Sequence, residues 1–443
     1  MFVVLVLAVS YLLMCVPLLR FKKGEIVISI DNILVAAFAF LFSILFPFVY
    51  GYALWGDSTR DYLTDYIAKY EPLQLCWYYL VSYVFMLCMV LVYRRLSGGR
   101  CIADVLNKPQ RMTSASQAFM IAAILLWVIG VVSDVLYIWE YGGYAAYMEY
   151  SDEIRSGASD FNNPFSFLMP FRDCVPLASM FFFSLISRKR PLMLPLFLVA
   201  FSHAVLIYVS NRGRLGFVLF LIIFPVYFLI HHFRLKVVNR RTLLVCVGGA
   251  VVLLLLLVGI GNLLSRNTTN GVFSLLAEET SFFFANFKVI LDNDIDFRFF
   301  YDLITYPIFL LPSSIWRTFN PNTVSDLMTI MIDGSKKGEG GVYGEAPIDS
   351  IGLAYFQLGF LGVIVCAVVW GALIALIFRG AKHIRHLNSS LMVHTYLTVS
   401  LVLRSILYCD SYNVVQRMFP FIIFVVLYLF ISLLMPSRRR IKL

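Results

Sequence analysis

Charge is scarce in this chain. Asp, Glu, Lys and Arg make up 14% of its 443 residues, while 60% are hydrophobic. A soluble globular protein carries about a quarter charged residues, so this composition excludes that class and points to a polytopic membrane protein. Histidine is rarer still. There are six, His203, His231, His232, His383, His386 and His394, and none falls between residues 265 and 347. A Ser-His-Asp arrangement or an HExxH zinc site therefore has no support. The eight cysteines form no CxxC pair and no metal-spaced cluster, and read as apolar fillers. No alternating pattern of a β-barrel is present, and no internal repeat. The N-terminus, "MFVVLVLAVSYLLMCVPLL", lacks the basic residues of a signal peptide and reads as a first spanning helix.

What the chain has in abundance is long apolar runs. A helical span needs about 20 such residues, and helices satisfy every backbone polar group inside hydrocarbon. Eleven spans are predicted, near 1–19, 30–54, 73–93, 115–139, 165–186, 191–209, 214–232, 242–264, 348–378, 391–408 and 414–435. The expected fold is an all-α polytopic membrane protein, one integral membrane domain over 1–443. A single large outer loop at 265–347 would contain short helices. "LITYPIFLLPSSIW" in that loop is too short to span and reads as an interfacial or re-entrant helix. "DGSKKGEGGVYGE" has the glycine content of a lid or hinge, since a loop this long tends to be functional.

The net charge of +10 looks at first like a nucleic-acid signal, and placing the charges removes it. "RFKKG", "RRLSGGRCIADVLNKPQR", "RKR", "RLKVVNRR", "RGAKHIRH" and "SRRRIK" hold 22 of the 36 Lys and Arg. These segments occupy every second connector. By the positive-inside rule they are cytoplasmic, which places the N-terminus outside and the C-terminus inside. The acids gather on the other face.

Basic residues on that outer face have no topological reason to be there. Arg212 and Arg214 flank Gly213 in the turn "YVSNRGRLGF". Arg172, Arg404 and Arg417 sit near outer ends of spans, as do Asp134, Asp173 and His203. An ionisable group at such depth faces a cavity or a partner. Either these charges neutralise neighbours and snorkel, or they hold an anion. Arginine's planar fork suits phosphate oxygens, and a lipid-linked phosphate or pyrophosphate lies at this level. Arg298 and Arg317 in the long loop would grip a second head group or a glycan. The loop's aromatics suit sugar rings, or form an interfacial belt. Glu345, Asp349 and Asp410, at the outer mouths of the ninth and tenth spans, are the candidate proton acceptors. "DNDID" (292–296) has a metal-site look, but an acidic run in a loop is usually solvated, so no metal is expected.

Four segments carry a family resemblance. "YGGYAAYMEYSDEIRSG" resembles an outer-loop segment of the oligosaccharide repeat-unit (O-antigen, Wzy-type) polymerases, and "SNRGRLGF" is similar to their arginine-containing turn. "GEAPIDSIGLAYFQLGFLGVI" and "RSILYCDSYNVVQR" are similar to segments after their large loop. The related ligases are associated with a histidine in the large outer loop, which this chain lacks. The resemblance implies a GT-C-like helical bundle in the bacterial inner membrane and a glycosyltransferase needing no cofactor or metal. The reaction it implies joins repeat units on the periplasmic face. A glycan on undecaprenyl pyrophosphate is passed to a hydroxyl of the incoming lipid-linked unit. Implied partners are these lipid-linked oligosaccharides, membrane lipids and a chain-length-regulating membrane protein. Arg212 and Arg214, helped by Arg404, Arg172 and Arg417, would hold the pyrophosphate. Two rivals are a lipid-linked glycan flippase and another polyprenyl-dependent transferase or ligase. A flippase would usually show repeats and midplane charges.

Overall fold

The protein is an all-α polytopic membrane protein. The computed structural model describes residues 1–22, 24–55, 62–97, 114–156, 163–187, 190–211, 214–233, 237–238, 272–293, 296–311, 315, 318, 322–340, 342, 345–381, 384 and 387–435, a few of them, Arg214 included, by backbone alone. Among the described residues eight helices are long and apolar enough to cross a membrane, and two shorter apolar helices, Phe2–Leu18 and Gly216–His231, coincide with the first and seventh predicted spans. Ten of the eleven expected spans are thus helical. The eighth, 242–264, lies outside the described residues.

Two compact units emerge from the packing. The first comprises Met1–Cys101, Lys236–Ile377 and Leu401–Val414, and the second Ile102–Leu235, Phe378–Ser400 and Val415–Leu443.

Aromatic packing holds the first unit together. Phe42 and Phe46, from the span Ile30–Trp55, meet Tyr11, Tyr78, Tyr79 and Phe284 with ring centroids 4.8–6.2 Å apart, mostly edge to face. Such pairs add about 0.5–1.5 kcal/mol each beyond their burial. Phe284 belongs to Val272–Asp292, a 21-residue helix from the long loop. Every residue from 281 to 290 of it is buried, and Tyr70 and Tyr78 donate their hydroxyls to the carbonyls of Phe284 and Phe283. The short helices expected in this loop are therefore joined by a long one. "EETSFFFANFKVI" has polar residues on every face, so no 20-residue apolar run reveals it, and its burial comes from partners distant in sequence.

Two of the basic connectors share a small sheet in this unit. Glu25–Val27 pairs with Phe21–Lys22 and, antiparallel, with Val237–Val238, Ile26 opposite Val238. The connectors after the first and seventh spans thus meet at one end, as the alternation of basic segments requires. Buried Asp31 at the start of the next span pairs with Arg20 (2.8 Å) and Arg94 (2.7 Å) there.

One span of the first unit is broken. The helix Ser350–Ala381 loses helical geometry at Leu358 and Gly359 (φ 55°, ψ −141°). The break frees carbonyls, and loop residues fill them: Arg298 and Phe299 donate their backbone N–H groups to Phe356 O (3.3 Å) and Gln357 O (2.9 Å). A buried carbonyl left without a partner would be costly. Gly359 occupies a region nearly closed to other residues, and a Cβ there would stand 3.4 Å from the Phe297 ring. Gly359→Ala is expected to cost about 1–3 kcal/mol, seen as a lowered apparent Tm of the detergent-solubilised protein. An unchanged Tm would refute this account of the break.

In the second unit, Gly130 lets the span Gln117–Trp139 approach the helix Cys174–Leu185 closely. A Cβ there would lie 2.7 Å from Val175 Cγ2 and 2.8 Å from its backbone nitrogen.

Candidate functional site

The second unit buries a charged network at the ends of its helices. Asp134, fully enclosed on Gln117–Trp139, accepts from Arg172 Nε at 2.6 Å through Oδ1. Its Oδ2 lies 2.6 Å from His203 Nε2 and also accepts from the Tyr144 hydroxyl. Arg172 Nη1 reaches Asn211 Oδ1 (3.2 Å) and the Tyr147 hydroxyl (3.4 Å), and Tyr147 itself donates to Asn211 Oδ1 (2.7 Å). The Arg172 guanidinium lies 4.5 Å from the Tyr137 ring centroid and 5.1 Å from that of Tyr147. Tyr144 and Tyr147 come from the helix Tyr144–Ser156, one turn apart and so on one face. A turn through Gly142 and Gly143, both at positive φ, delivers that helix.

Opposite charge, hydrogen bonds and two aromatic faces together keep an arginine with 1% exposure charged in a low-dielectric setting. Of the Arg172 guanidinium nitrogens, Nη2 has no hydrogen-bond partner among the described residues. Of the arginines expected to hold an anion, Arg172 is thus engaged by Asp134. Arg417 pairs with Asp173 at 3.2 Å, both partly exposed. Arg212 lies outside the described residues, and of Arg214 only the backbone is described, as the first residue of the helix Arg214–Phe233. Asn211, directly before Arg212, is the described residue through which this turn is tied to the buried pair. Asp134 and His203 stand out in the sequence as charges inside spans, whereas the roles of Asn211, Tyr144 and Tyr147 exist only in three dimensions.

The first unit holds all three candidate proton acceptors, and they differ. Asp349 is fully buried and caps the span that begins at Ser350. Its Oδ1 accepts from the backbone N–H of Ile351 (2.8 Å) and Gly352 (2.9 Å), while Oδ2 faces Asn286 Nδ2 at 3.5 Å. Burial pushes its carboxyl up to about 7 against the pull of those donors. Asp410 is buried before the span Ser411–Leu434 and works the same way. Oδ1 accepts from Tyr412 N and Oδ2 from Ser325 N, the latter ordering the helix Val324–Asp333. Burial raises its carboxyl too.

Glu345 takes no hydrogen bond among the described residues and has only Lys337, 4.0 Å away. Crowding by the surrounding protein, then the Asp410 charge, pushes its carboxyl up to about 7, although 32% of its side chain still meets solvent.

The arginines of this unit are also placed. Arg298 clasps buried Asp302 through Nε (3.0 Å) and Nη2 (2.8 Å), and Gln357 donates to the same carboxylate at 2.9 Å. Arg404 begins a short helix, its guanidinium 5.9 Å from the Tyr408 ring. Arg317 lies outside the described residues. Among the described residues no group of three or more His, Cys, Asp or Glu stands where it could share a metal ion. Asp292 of "DNDID" is bound to Lys288 (2.5 Å).

No family model, curated protein or solved structure matches this chain.

Proposed function

We propose that this protein polymerises lipid-linked oligosaccharide repeat units on the outer face of a bacterial inner membrane. Undecaprenyl pyrophosphate is the leaving group, and a chain-length-regulating membrane protein is a further partner. The N-terminus is periplasmic and the C-terminus cytoplasmic. The observation that carries the reading is Glu345. Of the three carboxylates it alone is partly exposed and takes no hydrogen bond among the described residues, whereas Asp349 and Asp410 are buried and accept backbone N–H groups as helix caps; burial pushes the Glu345 carboxyl up to about 7. A general base works best when its pKa lies near the working pH. The resemblance of the four segments quoted above supplies the reaction class.

In this reaction an acceptor hydroxyl oxygen attacks the anomeric carbon of the donor glycan. The new C–O bond forms as the bond from that carbon to the pyrophosphate oxygen breaks. The leaving oxygen keeps the electron pair, and Glu345 takes the hydroxyl proton. The resemblance, not the geometry, assigns Arg212 and Arg214 to the charge that grows on the pyrophosphate. Fixed donors aimed at developing charge stabilise the transition state more than the ground state.

The test is Arg212→Ala in cells making the polymer. The expected product is glycans of one repeat unit in place of a ladder. Ladders that survive in Arg212→Ala, Arg214→Ala and the double variant would sink the assignment. Repeat units accumulating on the cytoplasmic side would favour a flippase.

A further inference from the structure

The broken span Ser350–Ala381 changes its surroundings at the break. From residue 350 to 357 no side chain is exposed. From Phe360 onward the helix shows Leu361, Val368, Val369, Leu373 and Leu376 to the outside. The whole helix is 32 residues, far longer than hydrocarbon requires. The stretch from Phe360 to Ala381 alone is about 33 Å long at roughly 1.5 Å per residue, against about 30 Å of bilayer core. The break therefore falls at the boundary of a bilayer-length apolar stretch. The half before it is enclosed by protein, and the half after it turns apolar side chains outward.

The segment 296–311 is bonded to that boundary. Its backbone donates to Phe356 O and Gln357 O, and Phe297 lies against Gly359. Behind it Asp302, 1% exposed, gathers Arg298 and Gln357, and its own carbonyl accepts the Ser411 hydroxyl (3.0 Å). In front it turns apolar side chains outward. Phe299 is 68% exposed and Ile304 73%, with Phe297, Tyr301, Leu310 and Leu311 beside them in sequence. Left in water these would form an apolar patch with no cover. Phe297 of this segment lies against Gly359, next to Phe360 and Leu361, where the outward apolar surface of the span begins. Aromatic and aliphatic side chains flanking an arginine match the composition of interfacial segments.

We infer that residues 296–311 form a membrane-seated collar, Phe299 and Ile304 buried among phospholipid acyl chains and Arg298 at head-group level. The occupant of this apolar face is the bilayer itself. The collar holds the long loop against the membrane and fixes Asp349, one short helix away, just above the hydrocarbon. The inference stands on the break and its hydrogen bonds and is independent of the proposed reaction.

Photo-cross-linking of the full chain in nanodiscs of phosphatidylethanolamine and phosphatidylglycerol tests it. A benzoyl-phenylalanine replaces Phe299 or Ile304, with Leu361 as the span control and exposed Glu339 as the loop control. Lipid adducts read by mass spectrometry are expected at 299 and 304 at a yield like that at 361, at least about tenfold above 339, because only a side chain inserted at the interface has acyl neighbours. Tyr301 and Leu310 repeat the test where a first variant fails to yield monodisperse protein. Yields at the level of position 339 would overturn the collar. Adducts to protein in place of lipid would also overturn it, by assigning the face to another chain.

Discussion

Asp134→Asn is expected to destabilise the protein by about 3–5 kcal/mol, the cost of leaving one member of a buried ion pair without its partner. The change keeps the side chain's shape and opens no cavity, so the loss is electrostatic. Arg172, at 1% exposure, would keep its charge with Asn211, Tyr147 and two aromatic rings but no counter-charge. The double variant Asp134→Asn/Arg172→Met should recover most of the loss. Replacing both ends of a buried pair is often near neutral, and such neighbours are not additive. Thermal unfolding followed by fluorescence-detected size exclusion reads all three proteins. A single variant within about 1 kcal/mol of the parent, or a double variant worse than the single, would show that the pair does not organise this end of the unit.

Glu345→Gln should not lower stability and should lower polymer synthesis by about 10²–10⁴-fold, the usual contribution of a positioned general base. Stability should not fall because Glu345 accepts no hydrogen bond among the described residues, its partly exposed pair with Lys337 at 4.0 Å contributes under about 1 kcal/mol, and the amide removes a charge that burial disfavours in the folded protein. Asp349→Ala and Asp410→Ala separate the roles. Each removes a cap, and a lost cap costs about 0.5–2 kcal/mol, so both should lower the apparent Tm. The pH profile adds a second readout. The Glu345 carboxyl titrates near 7 in the folded protein. Its proton-accepting form is present above that pH and is lost below it. The rate should be level above about pH 7 and fall about tenfold per pH unit below, while the residual rate of Glu345→Gln should not follow this curve. A parent profile flat from pH 5 to 8, or a Gln variant of full activity, would remove Glu345 from the reaction and leave the membrane collar untouched.

Hydropathy alone determined that this chain spans a membrane as helices. Apolar runs of about 20 residues have one solution in hydrocarbon, and no tertiary contact is needed to see them. Charge alternation likewise grouped the basic connectors, and the strand pairing of 25–27 with 237–238 brings two of those connectors to one end. Tertiary structure alone decided which charges are free to act. Arg172 and Glu345 look equally available in sequence. One is enclosed by Asp134, Tyr137 and Tyr147, and the other keeps its oxygens open. That difference depends on residues 25 to 39 positions away for Arg172, and on Asp410 for Glu345. The helix Val272–Asp292 escaped the sequence for a related reason. A helix buried by a membrane announces itself through uniform apolarity, whereas one buried by protein can keep polar residues wherever a neighbour supplies a partner. The break at Gly359 was hidden inside an unbroken apolar run, and residues 298 and 299, far away in sequence, supply the N–H groups that its freed carbonyls need.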